Sequence, residues 1–230
     1  MMRSRSRFTL IELLVVMALA AILVTLALPA FDKMINGDSV AYTSSTFKHA
    51  LQMAQSRALT NRRYVAVLVD YKVQRPDSGN LQAIRLCFVD KDPVIAKKYN
   101  FKEWLPEAEW VPFDSRAYMV GCDDSKHPTP FSAQSSLPAK LGKLTTVEAK
   151  EIVAGSEKKQ TYYAVVFSPY GNVALPDTKS YFLIGEAVME NGQLLYPTRN
   201  SDGTPANTRE LSLNQFTGKM EFIPNEIEDN

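Results

Sequence analysis

Hydrophobic and polar positions divide the chain into one unbroken apolar run, one amphipathic stretch and a series of short alternating segments. The run, 8–30, reads FTLIELLVVMALAAILVTLALPA, and Glu12 is its one charged residue. At ~1.5 Å per helical residue it reaches roughly 35 Å, enough for a bilayer core of about 30 Å. Pro29 is expected to kink or loosen this helix without ending it, and Asn36-Gly37-Asp38 is a second weak point. From position 40 helical spacing returns. Phe47, Ala50, Leu51, Ala54 and Ala58 recur at three- and four-residue steps and draw one apolar stripe, with Lys48, Gln52, Gln55 and Arg57 mostly off it. The pattern predicts one long helix closed at Asn61-Arg62-Arg63, its first half in a membrane and its second half packed on a domain.

Strand patterns follow. Segment 64–71 (YVAVLVDY) is β-branched and aromatic, 76–80 is a turn, and 81–90 reads as the paired strand, Ile84, Leu86 and Phe88 alternating against Arg85 and Cys87. Segments 99–101 and 117–120 read as short strands. Thr145-Thr146-Val147-Glu148 has the spacing of a capping box and predicts a short helix. Strands are predicted again at 161–167, 173–175 and 180–188, then a hairpin turn at Glu190-Asn191-Gly192-Gln193. A last pair, 209–213 and 219–223, turns at Thr217-Gly218.

The charges orient the apolar run. Arg3, Arg5 and Arg7 precede it with no acid among them, and basic flanks stay cytoplasmic, so the chain after about position 31 is expected across the membrane. A secretory signal has an apolar core of about 7–15 residues and a small-residue cleavage site. The run is longer, and Leu28-Pro29-Ala30 leads straight into Phe31-Asp32. A plain signal anchor leaves Glu12 unexplained, because a carboxylate costs ~2.5–3.5 kcal/mol at the centre of a membrane helix. A cut after Arg7 would free an amine on Phe8, about 6 Å along the axis from Glu12. The amine of one copy could then meet the carboxylate of a neighbour shifted slightly along it, and two charges so costly alone would also set the register.

These residues carry a family resemblance. An Arg-rich leader, then Phe8-Thr9-Leu10-Ile11-Glu12-Leu13-Leu14, then Pro29 resembles the prepilin N-terminus of type IV pilins and type II secretion pseudopilins. The resemblance implies a leader over 1–7, cleavage between Arg7 and Phe8 and N-methylation of Phe8 by a prepilin peptidase, and assembly through Glu12. The family usually has Gly, sometimes Ala, before the cut, where this chain has Arg7. The Ala/Gln/Ser/Arg stretch 50–58, the phrase VFSPYGNV at 166–173 and the last hairpin are similar to the GspH/FimT subgroup.

The implied fold is α+β, a long N-terminal helix packed on two antiparallel β-sheets. The implied layout is a transmembrane helix over 8–30, its periplasmic continuation over 31–63 and a globular β-rich domain over 64–230, with 91–160 an enlarged variable region. The implied role is a minor pseudopilin of type II secretion. It would be a single-pass inner-membrane protein with its domain in the periplasm, its partners other pseudopilin subunits and the prepilin peptidase. The alternative is a minor type IV pilin serving pilus assembly or DNA uptake.

Composition fits one anchor and one domain: 230 residues, 45% of them apolar. The net charge is +1; removing Arg3, Arg5 and Arg7 leaves 23 basic against 25 acidic residues, about −2. Such a chain exerts no general pull on nucleic acid. Some FimT-like proteins are linked with DNA capture through an Arg-rich C-terminal motif, whereas the matching hairpin here has one cation beside an acid, Lys219-Met220-Glu221. Arg57, Arg62 and Arg63 form the best basic cluster and fit a solvated helix end.

No pattern suggests catalysis or a cofactor. His49 and His127 stand alone, no Cys/His set has zinc spacing, and neither a phosphate-binding glycine loop nor a nucleophile elbow occurs. In an EF-hand register around Asn200-Ser201-Asp202-Gly203, Thr198 and Arg209 would stand where carboxylates are needed. A looser calcium site at Asp202 or Asp123-Asp124 stays open beside the reading of solvated turn acids. Cys87, in an apolar run, and Cys122, in a polar one, could form a disulfide in an oxidising compartment or remain two buried thiols.

Overall fold

The computed structural model describes residues 10–70, 82–106, 108–131, 144–153, 156–190 and 193–223, without the side chains of Glu12, 26–38 and 151–157. Two compact units result, Met1–Asp38 and Ser39–Asn230, and α1 (Leu10–Asn61) contributes to both. Pro29 does not end the helix. Its C-terminus is closed as expected: Arg62 adopts a left-handed φ of 51°, and the Arg63 N–H returns to the Ala58 carbonyl at 3.3 Å, the six-to-one bond of a Schellman motif.

The strands are β1 (Tyr64–Asp70), β2 (Ala83–Lys91), β3 (Tyr99–Trp104), β4 (Val111–Pro112), β5 (Ala117–Asp123), β6 (Thr145–Val153), β7 (Ser156–Phe167), β8 (Val173–Leu175), β9 (Ser180–Glu186), β10 (Val188–Glu190), β11 (Gln193–Leu195), β12 (Thr208–Leu213) and β13 (Met220–Phe222). A first antiparallel sheet has the order β3-β2-β1-β7-β6, with β4 added to β2 and β8 to β7. A second has the order β13-β12-β9-β5, and β10 with β11 makes a small ribbon.

The helical stripe read from the sequence is the axis of the main core. Phe47, Ala50, Leu51, Ala54 and Ala58 are all buried, together with Val40. They join alternate residues of the first sheet (Val65, Val67, Val69, Ile84, Leu86, Phe88) and of the second (Phe182, Ile184, Leu211, Leu213) in one cluster. Phe47 meets Phe182 edge-on, with ring centroids 5.1 Å apart. The opposite parity of the first sheet has its own core. Strands β3 and β6, the two ends of the strand order, lie against each other, so the sheet curls on itself around Ala66, Leu68, Cys87, Val147, Tyr162 and Val166. That double burial explains why β1 reads as a near-continuous apolar run.

One expectation is corrected, and of the two readings left open for the cysteines the buried thiols are the one found. The segment 145–148 is no helix start but the opening of β6, paired with β7 from Thr145↔Ala164 onward. Its spacing fits a capping box, yet Val147 and Ala149 are buried while Thr146, Glu148 and Lys150 are exposed, the period of two that a strand needs. The disulfide is not formed: Cys87 and Cys122 are free thiols. Cys87 faces the interior of the curled sheet, and Cys122 belongs to the helix-packed core. Nor is Cys122 in a loop. A bulge between Met119 and Gly121 shifts the register of β5, so Met119 and Cys122, three apart, face the same core.

Candidate functional site

Two surfaces stand out, one in each unit. In the first, every large apolar side chain described from Leu10 to Val24 is exposed. Because these residues are nearly consecutive, and successive helical positions turn by about 100°, the apolar surface wraps all the way round. A helix apolar on every side suits lipid or other helices rather than water. Among the described residues no helix is long and apolar enough to cross a membrane. Arg7 and Phe8 lie outside the described residues, as does the Glu12 side chain; the Glu12 backbone is helical.

The second surface forms where α1 ends. The Gln55 amide nitrogen donates to the Gly171 carbonyl at 2.8 Å and to the Thr217 carbonyl at 2.6 Å. One side chain thus ties the helix to the turn 168–172 and to the β12–β13 turn. The Val173 N–H donates to the Gln215 carbonyl at 2.8 Å and links the two turns directly. The approach is close: a Cβ on Gly171 would meet the Leu59 methyls at 3.0 Å. Each turn holds one aromatic ring out, and Tyr170 and Phe216 are 88% and 80% exposed.

The remaining candidates are occupied by local structure. The Asp202 carboxylate accepts from the Thr204 N–H at 2.9 Å and its hydroxyl at 2.6 Å, which holds it below the usual carboxylate range. Asp123 accepts from the Ser125 N–H at 2.8 Å, from the Ser125 hydroxyl and from the Thr129 N–H at 3.3 Å. Among the described residues no group of acidic, His or Cys side chains could hold a metal ion. His127 lies 2.9 Å from Glu210, and His49 is exposed on the helix. Within the basic cluster, Arg63 is engaged by Glu103 at 2.7 Å and by the Phe88 ring, while Arg57 and Arg62 are exposed. Lys219 pairs with Glu221 at 2.6 Å.

No family model matches the chain, and no curated protein matches it. Among solved structures, two crystal forms of the type IV minor pilin FimU of Pseudomonas aeruginosa strain PAO1 are similar to it. The form in space group P21 shares 17% identity at a TM-score of 0.34, over 81% of this chain and 90% of that one. The form in P65 shares 16% at 0.32, over 80% and 92%. TM-scores of 0.34 and 0.32 are too low to establish a common fold.

The junction at Gln55 was not read from the sequence. Gln55 falls off the apolar stripe and reads as a solvated residue, although it is half-buried. One signal was available: in Pro169-Tyr170-Gly171 and Gln215-Phe216-Thr217 an aromatic residue stands among turn formers, without strand neighbours to bury it.

Proposed function

We propose that the chain is a minor pilin-type subunit of a membrane-anchored filament, and within that class a minor pseudopilin of type II secretion. The observation that carries this reading is the apolar surface around α1 from Leu10 to Val24, joined in sequence to a β-rich unit with its own core. A helix bare on all sides suits lipid and also packing among like helices, and both environments serve a subunit that waits in a membrane and then assembles. The Phe8-to-Leu14 motif adds the rest. Cleavage after Arg7 frees the Phe8 amine, which is methylated, and Glu12 of one subunit receives the amine of its neighbour. Residues 8–30 anchor the chain in the inner membrane, the domain lies in the periplasm, and the protein performs no catalysis.

The resemblance of 50–58, 166–173 and the last hairpin is to the GspH/FimT subgroup, and the second reading is a FimT-like minor type IV pilin serving pilus assembly or DNA uptake; a secretion operon around the gene against pilus or competence genes separates the two. The ion pair of Lys219 with Glu221 gives DNA capture at that hairpin no support, since phosphate contacts need several free cations.

Intact-mass and peptide analysis of the protein from membranes tests the first step: a methylated Phe8 terminus is expected, and a terminus at Met1 defeats the reading. Filaments purified from cells expressing Glu12→Ala test the second. The variant should insert normally yet be depleted from filaments, and wild-type incorporation would end the pairing model.

A further inference from the structure

We propose that the acidic segment 224–228 continues β13 along the free edge of β12, held by Glu226 against Arg209, and so covers an edge of the second sheet that would otherwise accept a foreign strand. The two ends of this sheet differ. Beyond β5, the Phe131 N–H donates to the Val120 carbonyl and the Met119 N–H to the Gln82 side-chain oxygen, both at 2.8 Å, so that edge is occupied. At the other end β13 has three residues against six in β12, and its last pair is Phe222 with Leu211. A bare strand edge is a template for another chain, and folded proteins usually cover it.

The hydrogen-bond alternation defines what that edge offers. The Asn214 N–H donates to the Lys219 carbonyl at 2.9 Å and the Ile223 N–H to the Glu210 carbonyl at 3.0 Å, so the even-numbered residues of β12 turn their backbone groups toward β13. Thr208 is next in that series. Its pairing with Gly185 of β9 is of the non-bonded kind, because the adjacent Glu186 N–H already donates to the Asn207 carbonyl at 2.9 Å. The Thr208 N–H and C=O therefore face the edge. Carried on, the same register sets Asn225 opposite Thr208 with an N–H to give. It sets Pro224 opposite Arg209, where no N–H is called for.

The charges agree. Arg209 shares a face with Leu211 and stands diagonal to Phe222, its guanidinium 5.7 Å from that ring. Lys48 reaches the same ring from α1 at 4.6 Å. Neither cation forms an ion pair among the described residues. Of the nearby acids, Glu221 is taken by Lys219 at 2.6 Å and also feels Lys48 and Lys179, while Glu210 lies 2.9 Å from His127. The chain beyond Ile223 has the opposite sign: 224–230 reads PNEIEDN, with three acids and no base. Glu226 is about 10 Å of extended chain beyond Ile223, and the register puts it diagonal to Arg209 on the side away from Phe222.

The test is amide hydrogen exchange of the full chain in detergent micelles, read by NMR. The Thr208 and Asn225 amides should exchange at least about tenfold more slowly than unstructured chain. Asn225→Pro removes the donor to the Thr208 carbonyl and should abolish the protection of Thr208, while Ser212, inside the β12–β13 pairing, keeps its own. Glu226→Lys should speed exchange at Thr208 by up to about fivefold, and adding Arg209→Glu should restore the wild-type rate. Thr208 exchanging like unstructured chain would overturn the proposal, as would indifference to Glu226→Lys or to Asn225→Pro. Protection that fades on dilution would assign the edge to a second copy and overturn it too. These rates are independent of filament membership, and a Met1 terminus would leave them unchanged.

Discussion

The Gln55 side chain donates to the Gly171 carbonyl at 2.8 Å across 116 positions of sequence, and the same nitrogen reaches Thr217. An amide nitrogen has two hydrogens, so both bonds form at once. Gln55→Ala leaves two carbonyls without that donor and should cost about 1–2 kcal/mol, read from the midpoint of chemical unfolding. Gln55→Glu should cost more, because an acceptor then faces two acceptors. An unchanged midpoint for both variants would show that water replaces the amide freely.

Gly218 lies on the other side of the same junction. Its φ is +65°, and a Cβ there would sit on the Gly171 carbonyl oxygen and 2.5 Å from the Gln55 amide nitrogen. Gly218→Ala therefore combines left-handed backbone strain with expulsion of Gln55, and should destabilise by at least ~1–2 kcal/mol. Since part of that loss is the loss of the Gln55 bonds, the double variant with Gln55→Ala should cost less than the two singles together. Strict additivity in a double-mutant cycle would show that the two residues act separately.

The thiols give a prediction that needs no variant. Burial pushes both up, Cys122 to about 12, and Arg85 near Cys87 and Asp123 near Cys122 add only secondary influences. Neither is a thiolate at neutral pH, and neither is open to a reagent. Iodoacetamide should label neither in the folded protein and both in denaturant, and a reductant should leave the unfolding midpoint unchanged. Alkylation of either thiol at its unfolded rate would mean that its strand opens readily.

How far the sequence spoke depended on whether a signal was local. The stripe from Phe47 to Ala58 names the buried face of α1, because helical spacing needs only its own turn. The alternation of Ile84, Leu86 and Phe88 likewise names the face of β2 that meets the helix. The motif at 145–148 misled because four residues fit a cap and a strand equally well, and pairing with β7 decides between them. Cys122 misled because the bulge in β5 breaks the alternation that would have marked a strand. The curl that sets β3 against β6 and the reach of Gln55 to two distant turns arise from chain segments far apart, and no local pattern encodes them.

Asp92 supplies the pH dependence. Its carboxylate accepts from the Ile95 and Val94 N–H groups and from Asn100, with Lys98 at 3.9 Å, and these donors hold its pKa down to about 2. The ordinary value is about 3.9. A folded value below the unfolded one means that the carboxylate's contribution is fully present above about pH 4 and is lost as pH falls through about 2. The loop 92–98 should therefore keep its form at mildly acidic pH and loosen only near pH 2. The amide resonances of Val94 and Ile95, which report directly on the two bonds, should titrate with a midpoint close to 2 in the wild type. In Asp92→Asn, which keeps an acceptor but no charge, they should not titrate in that range. A wild-type midpoint near 3.9 would show that the carboxylate is solvated and that the loop presents Val94 and Ile95 without its help.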